Sequence, residues 1–300
     1  MPRTLVVGCL SFAVALFAAA CGAGRTPVGS LEVSPSAIEL AWPQFVDVRV
    51  RLRAERALPE GARRPIVFLH LLDEPGSVVR TFDHGLPGEW AVGHEFDYSV
   101  RVLLSALAEP LPAGEYLLSV GLYAPDHGRF ALRTDADEVA KLEYLVAPVA
   151  VPATDTSAPR ARFSDGWLPP EPGADRQILA RRSLVGGTAG TVEFGPLAGP
   201  GTLLVRVEIP EETRDRARVE LAAGESQPKL RVASSCGGEQ VEVSGAGGFD
   251  LDFAVSEATA ACELVFAPNF QIRWRNRAEA TSARLAVLAW RPGSSGAPPP

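Results

Sequence analysis

Apolar and polar positions alternate without a break over 46–53: Val46, Val48, Val50 and Leu52 are apolar, and Asp47, Arg49, Arg51 and Arg53 stand between them. A period of two puts one set of side chains on a core and the other in water, so this segment predicts a half-buried strand. Segments 66–72 and 115–124 are apolar at nearly every position, as strands covered on both faces are. Turn chemistry separates them at Asp73-Glu74-Pro75-Gly76, Pro112-Ala113-Gly114 and Pro125-Asp126-His127-Gly128. With weaker strands over 37–42, 77–82, 96–104 and 139–146, the pattern predicts seven to nine strands in a first sandwich.

The same style repeats further on, with short β-rich runs over 202–209, 217–222, 229–233, 240–243, 249–255, 262–267 and 284–290. No long helical period follows residue 30, and 278–289 has room for one helical turn at most. The fold class expected is all-β: two consecutive β-sandwich domains, immunoglobulin-like or jelly-roll-like, after a signal peptide. The expected boundaries are 30–146 for the first sandwich, 147–160 for a Pro-rich linker, 161–291 for the second sandwich and 292–300 for a disordered tail. Composition agrees: 28 Gly and 26 Pro among 300 residues suit a turn-rich β protein. With 46% apolar residues there is enough to bury cores. A mean hydropathy of +0.08 is too low for several membrane spans.

The amino terminus alters this picture. Arg3 precedes an uncharged stretch over 5–20, of h-region length and short for a spanning helix. It ends Ala18-Ala19-Ala20-Cys21-Gly22. Small residues just before a cysteine suit the narrow cleft of a lipoprotein signal peptidase, and the segment resembles a bacterial lipobox with Ala18 where Leu is commoner. The resemblance implies a signal peptide over 1–20, diacylglycerol on the Cys21 sulfur, and a tether over 21–29. An ordinary cleaved signal and an uncleaved anchor helix are the alternatives. Cys9 would leave with the signal, so Cys236 and Cys262 remain, either bridged or as two buried thiols. The expected location is extracytoplasmic, on a membrane through the lipid. A net charge of −7 argues against nucleic acid as a partner.

Candidate chemistry is sparse. The loop over 83–94 is the longest mixed polar and aromatic one. Trp90 there is a candidate to stack on a sugar ring, with Glu89, His94, Asp83 and His84 taking hydroxyl hydrogen bonds; the other reading has Trp90 closing the end of the core. His70, His84, His94 and His127 show neither HxH nor HxxxH spacing, so no metal and no cofactor is expected. His70 shares the strand face of Phe68 and Leu72, where a hydrogen-bonded histidine is the plainer reading. Arg273-Trp274-Arg275-Asn276-Arg277 would put three guanidinium groups on one strand face, for an anion or as a solvated edge. Asp250 and Asp252 are weak calcium candidates. No G-x-S-x-G, P-loop or H-E-x-x-H is present, so no catalytic residue is assigned and an enzyme is not expected.

The strings IVFLHLLDEPGSVV at 66–79, DHGLP at 83–87 and LPAGEYLLSVGLYAP at 111–125 occur in that order, and FSDGWLPPEP follows at 163–172. Together they resemble the extracytoplasmic β-sandwich modules appended to bacterial membrane glycosyltransferases of the protein-mannosyltransferase type. The resemblance spans about two thirds of the chain after Cys21. It implies architecture and a setting near cell-surface glycans, and no transferase residue carries over. The functional expectation is a membrane-anchored envelope lipoprotein acting as a non-catalytic binding or scaffolding module, with envelope glycan as a possible ligand. Its rivals are a structural partner of an envelope protein complex and a glycan-acting hydrolase with dispersed carboxylates.

Overall fold

The computed structural model describes residues 26–62, 64–173, 176, 178–211 and 217–293. The expected signal peptide, Cys21 and nearly all of the expected tail lie outside the described residues. The protein is all-β: strands make up 57% of it, no described residue is helical, and several sheets pack together. In the amino-terminal half the strands are β1 (Gly29–Ser34), β2 (Ile38–Glu39), β3 (Phe45–Ala54), β4 (Ile66–Leu72), β5 (Val78–Thr81), β6 (His84–Gly85), β7 (Glu95–Leu103), β8 (Gly114–Ala124), β9 (Gly128–Phe130), β10 (Leu132–Arg133), β11 (Glu138–Ala140) and β12 (Glu143–Val151). In the carboxy-terminal half they are β13 (Arg160–Phe163), β14 (Glu171–Pro172), β15 (Ala180–Val185), β16 (Gly190–Gly195), β17 (Gly201–Ile209), β18 (Ala217–Leu221), β19 (Lys229–Ser234), β20 (Gln240–Ser244), β21 (Gly247–Val255), β22 (Cys262–Pro268), β23 (Phe270–Trp274) and β24 (Thr281–Pro292).

A four-stranded sheet β10-β1-β3-β7 faces an eight-stranded one built on β11-β12-β8-β4-β5. Between them lie Val48, Val50 and Leu52 of β3, Val67, Leu69 and Leu71 of β4, and Leu118, Val120 and Leu122 of β8. The alternation in β3 behaves as its period predicts, since Asp47, Arg49, Arg51 and Arg53 all point to solvent. There they meet β7 in register: Asp47 opposite Arg101, Arg51 opposite Asp97, Arg53 opposite Glu95. A one-residue slip would bury this charge ladder, so the ladder fixes register more than it adds stability. The other half pairs a five-stranded sheet β13-β16-β22-β19-β20 with a seven-stranded one built on β14-β15-β24-β17-β21. Val205, Val207, Phe253, Leu264, Phe266 and Leu285 form its core.

Residues 147–151, expected in the linker, continue β12. Ala147, Val149 and Val151 are buried there, and the non-strand connection is only 152–159. The proline at 148 misled the reading, because a strand tolerates proline where no ladder donor is needed. Residues 278–289 hold no helical turn; β24 runs through most of them as a twelve-residue strand.

β24 also joins the halves. Leu285, Leu288 and Trp290 enter the carboxy-terminal core, whereas Val287 and Ala289, with Leu204 of β17, enter the amino-terminal one. The Trp290 amide donates to the Pro43 carbonyl at 2.9 Å, and the Ala106 amide to the Leu288 carbonyl at 2.8 Å. Ion pairs flank this seam: Arg291 with Asp47, and Arg101 with Asp250 and Asp252.

Cys236 and Cys262 are joined as a disulfide, their Cα atoms 5.3 Å apart, so the bridged alternative holds. It ties the turn after β19 to the start of β22, two neighbours of the five-stranded sheet. Removing it with Cys236→Ser/Cys262→Ser is expected to cost about 3.5 kcal/mol by loop-closure entropy, measured by urea unfolding. Leu204→Ala is expected to cost about 2–5 kcal/mol. It should also speed amide exchange in β3 as well as in β17; acceleration confined to β17 would show that the shared packing does not couple the halves.

Candidate functional site

The loop over 83–94 does not gather its five candidate residues. Asp83 and His84 sit at its start, beside β4 and β7, and Glu89, Trp90 and His94 sit at its far end. At that end the rings of Trp90 and His94 both lie over Phe96, at 6.2 and 4.4 Å. The Trp90 indole N–H donates to the Arg56 carbonyl at 2.8 Å, and the ring packs half-buried against the amino-terminal core. Trp90 is thus at least a plug; its polar handle is taken and one ring face is occupied. Glu89 and His94 are exposed.

His84 is also occupied on both nitrogens. Nδ1 lies 2.8 Å from the Phe82 carbonyl, which can only accept, so Nδ1 carries the proton. Nε2 then accepts from the Tyr98 hydroxyl at 2.8 Å. Burial pushes the His84 pKa down, against weaker help from the Phe82 carbonyl and Asp83, and pushes the Tyr98 phenol up. The pair is a neutral imidazole held by a neutral phenol.

The denser cluster centres on His70, on the face of the eight-stranded sheet turned away from the main core. Phe68 lies over Gly121, where a β-carbon would run into the ring, and His70 pairs across the strands with Ser119. Glu143, at the start of β12, is buried and takes hydrogen bonds from Ser119 Oγ at 2.6 Å and Arg129 at 2.9 Å, with His70 Nδ1 at 3.3 Å. His70 Nε2 faces Asp83 at 3.3 Å. The Arg129 guanidinium covers the Phe68 ring at 4.5 Å. Burial works against charge on His70, but the hydrogen bonds and attraction of Asp83 and Glu143 outweigh it and raise its pKa to about 9. His70, opposed by burial and helped by Ser119 and Arg129, holds Glu143 down at about 2. This is no nucleophilic triad, because the serine bonds the carboxylate and not the imidazole. Sequence reading missed Ser119, Arg129 and Glu143. The available signal was Ser119 itself, a polar residue inside the apolar run 117–123, which needs a partner when buried.

The arginine row fails as a strand face. β23 ends at Trp274, and Arg275 and Asn276 turn. Arg273 pairs with Glu220 at 2.9 Å, and Arg277 swings back to Glu171 at 2.8 Å. Beside them Arg284 lies over Trp274 at 5.3 Å, and burial with the nearby Arg181 lowers its pKa. Asp250 and Asp252 are engaged by Arg206 and Arg101 instead of forming an open carboxylate pair. Among the described residues, no three His, Cys, Asp or Glu side chains are placed to hold a metal ion. No protein-family model matches the chain, and no curated protein matches it significantly.

The His70 network predicts a pH signature. A raised histidine pKa contributes stability in full below about 6.5 and loses it as pH rises through about 9. A lowered carboxyl pKa contributes above about 4.5 and loses it as pH falls through about 2. Tm is therefore expected to fall between pH 6.5 and 9.5, with a shallower fall in His70→Gln; equal slopes would remove His70 as the cause. Glu143→Gln at pH 6 is expected to cost about 3 kcal/mol, because it leaves His70 and Arg129 without their shared anion.

Proposed function

We propose that this chain is a membrane-anchored envelope lipoprotein, acylated at Cys21, whose β-sandwich halves act as a non-catalytic scaffold for an envelope protein partner. The observation that carries the reading is the small-residue segment ending at Cys21, eight residues before β1 begins at Gly29. The Cys236–Cys262 disulfide is compatible with an oxidising compartment outside the cytoplasm. Support for a scaffold comes from β24, which packs into both cores and holds the halves in one fixed arrangement. The strongly shifted groups support a non-catalytic role, since His70 and Glu143 are both engaged by partners inside the fold.

The glycan reading rests on Trp90, and its bound indole N–H and Phe96-covered face weaken it. A hydrolase would need carboxylates facing an open cleft, and the resemblance to glycosyltransferase-appended modules supplies no catalytic residue.

In cells fed an alkyne-tagged fatty acid, the protein is expected to carry the tag and sediment with membranes. Cys21→Ser should lose the tag. A tagged or fully membrane-retained Cys21→Ser protein would sink the lipoprotein reading. Capture of the full-length protein from detergent-solubilised envelope is expected to bring down a defined protein and no polysaccharide; polysaccharide alone in the eluate would overturn the scaffold reading.

A further inference from the structure

The amino-terminal half has two different ends. At one end Phe45 pairs with Leu103, and the Pro43 carbonyl and Ala106 amide are bonded to β24 of the other half. At the opposite end Gly29 pairs with Ala54, and the Gly93 amide returns to the Ala54 carbonyl at 2.7 Å. β3 separates these ends by about 30 Å, at about 3.3 Å of rise per residue. The chain therefore enters the fold at the end away from the carboxy-terminal half, and Gly29 sits directly beside the Trp90 ring.

That end is also where apolar side chains reach solvent. Val92, at 62%, is the most exposed large hydrophobic residue described. With Leu58, Pro59, Trp90 and Ala91 it lines an open groove of about 370 Å³ between two loops. Arg56, Glu60 and Glu89, each next in sequence to a residue lining the groove, are exposed. An apolar tip flanked by charges of both signs, with a tryptophan beneath it, suits the boundary between headgroups and acyl chains and not the hydrocarbon centre.

Resting on the lipoprotein reading, we infer that the Leu58/Trp90/Val92 end is a membrane-contact surface, seated at the headgroup level of the bilayer that holds the Cys21 lipid. Eight residues from Cys21 to Gly29 span at most about 28 Å when fully extended, so this end stays near the bilayer whatever the tether does. The far end, with the carboxy-terminal half docked on it, is held away from the lipid. The apolar patch converts a loose tether into a fixed orientation: the amino-terminal half stands on the membrane and presents the other half outward.

The cysteine inventory makes the test clean. Cys9 leaves with the signal, Cys21 carries lipid and Cys236 is bonded to Cys262, so Val92→Cys adds the one free thiol to the acylated protein. Val92 is exposed and the substitution small, so folding is not at risk; Leu221→Cys, exposed in the other half, is the control. Each variant, acylated and full length, is labelled with an environment-sensitive fluorophore and reconstituted into phosphatidylcholine/phosphatidylglycerol vesicles. Some of the vesicles carry nitroxide lipids at the headgroup or upper acyl chain. The expected result is at least twofold quenching at position 92 and none at 221. Protein that floats with the vesicles, with the Cys21 lipid seen by mass spectrometry, but shows no quenching at 92 would overturn the contact surface and leave the lipoprotein reading standing. Absence of the Cys21 lipid would overturn both. A label at 92 that responds to envelope polysaccharide and ignores lipid would assign the groove to a glycan.

Discussion

Strand β24 is buried on both faces, and most of the molecule's organisation depends on that. Its pairing with β17 carries a bulge between the partners of Arg206 and Val207, which shifts the alternation so that Leu285 and Leu288, three residues apart, serve the same core. Leu288 and Trp290 close the carboxy-terminal core, while Val287 and Ala289 fill the amino-terminal one. A sandwich normally ends in solvent at the outer face of each sheet. Here part of the outer face of the seven-stranded sheet is the floor of the other core, and the 152–159 connection only closes a path that packing already defines. The ion pairs of Arg101 and Arg291 with Asp47, Asp250 and Asp252 lie at the rim of this contact, where they favour one docking angle more than they add stability.

The second constraint is electrostatic, and it sets two partly buried histidines, His70 and His84, in opposite charge states. His84 faces a carbonyl and a phenol, so burial wins and the ring is held neutral. His70 faces two carboxylates, so attraction wins over burial and the ring is held as a cation. Between them stands Asp83, adjacent in sequence to His84 and in contact with His70. Glu143 completes the balance because Ser119 and Arg129 supply the hydrogen bonds a buried carboxylate needs. The polar residues cover one face of β4 and β8 that would otherwise expose Phe68 and Gly121, which makes the network a lid on the sheet.

How much of this was legible in the sequence follows from range. Strands whose pattern is local were readable: β4 coincides with the predicted 66–72, β3 extends one residue past the prediction at each end, and β8 begins one residue earlier. Counting reduced the cysteines to Cys236 and Cys262, as a bridge or as two buried thiols, and the structure joins them. Strands β1, β15 and β16 were missed, because β15 carries Arg181 and Arg182, β1 and β16 offer only two large apolar side chains each, and the strand state comes from neighbours supplied by distant segments. The same limit acted at Arg273–Arg277, where a two-residue turn at Arg275 and Asn276 sends alternate arginines to different carboxylates. The loop over 83–94 read as one site because its residues are contiguous. Tertiary contacts divide it, Asp83 and His84 going to the sheet and Trp90 to the end of the core.

These constraints bear on where a partner has room. In the amino-terminal half, one end is taken by β24, and the outer face of the four-stranded sheet answers its own arginines with Asp97, Glu95 and Glu32. The outer face of the eight-stranded sheet is capped by the His70 network. On the proposed reading the remaining end rests on the bilayer. What stays open to a partner is the carboxy-terminal half, above all the edge strand β20, whose Gln240, Glu242 and Ser244 are exposed. Polar side chains on an edge discourage indiscriminate strand pairing, so a partner there must match side chains and not merely extend the sheet. On the proposed reading, a rigid support that holds such an edge away from the membrane suits a scaffold, because its fixed parts position a surface while the His70 imidazole and the Glu143 carboxylate are engaged by partners of the same half.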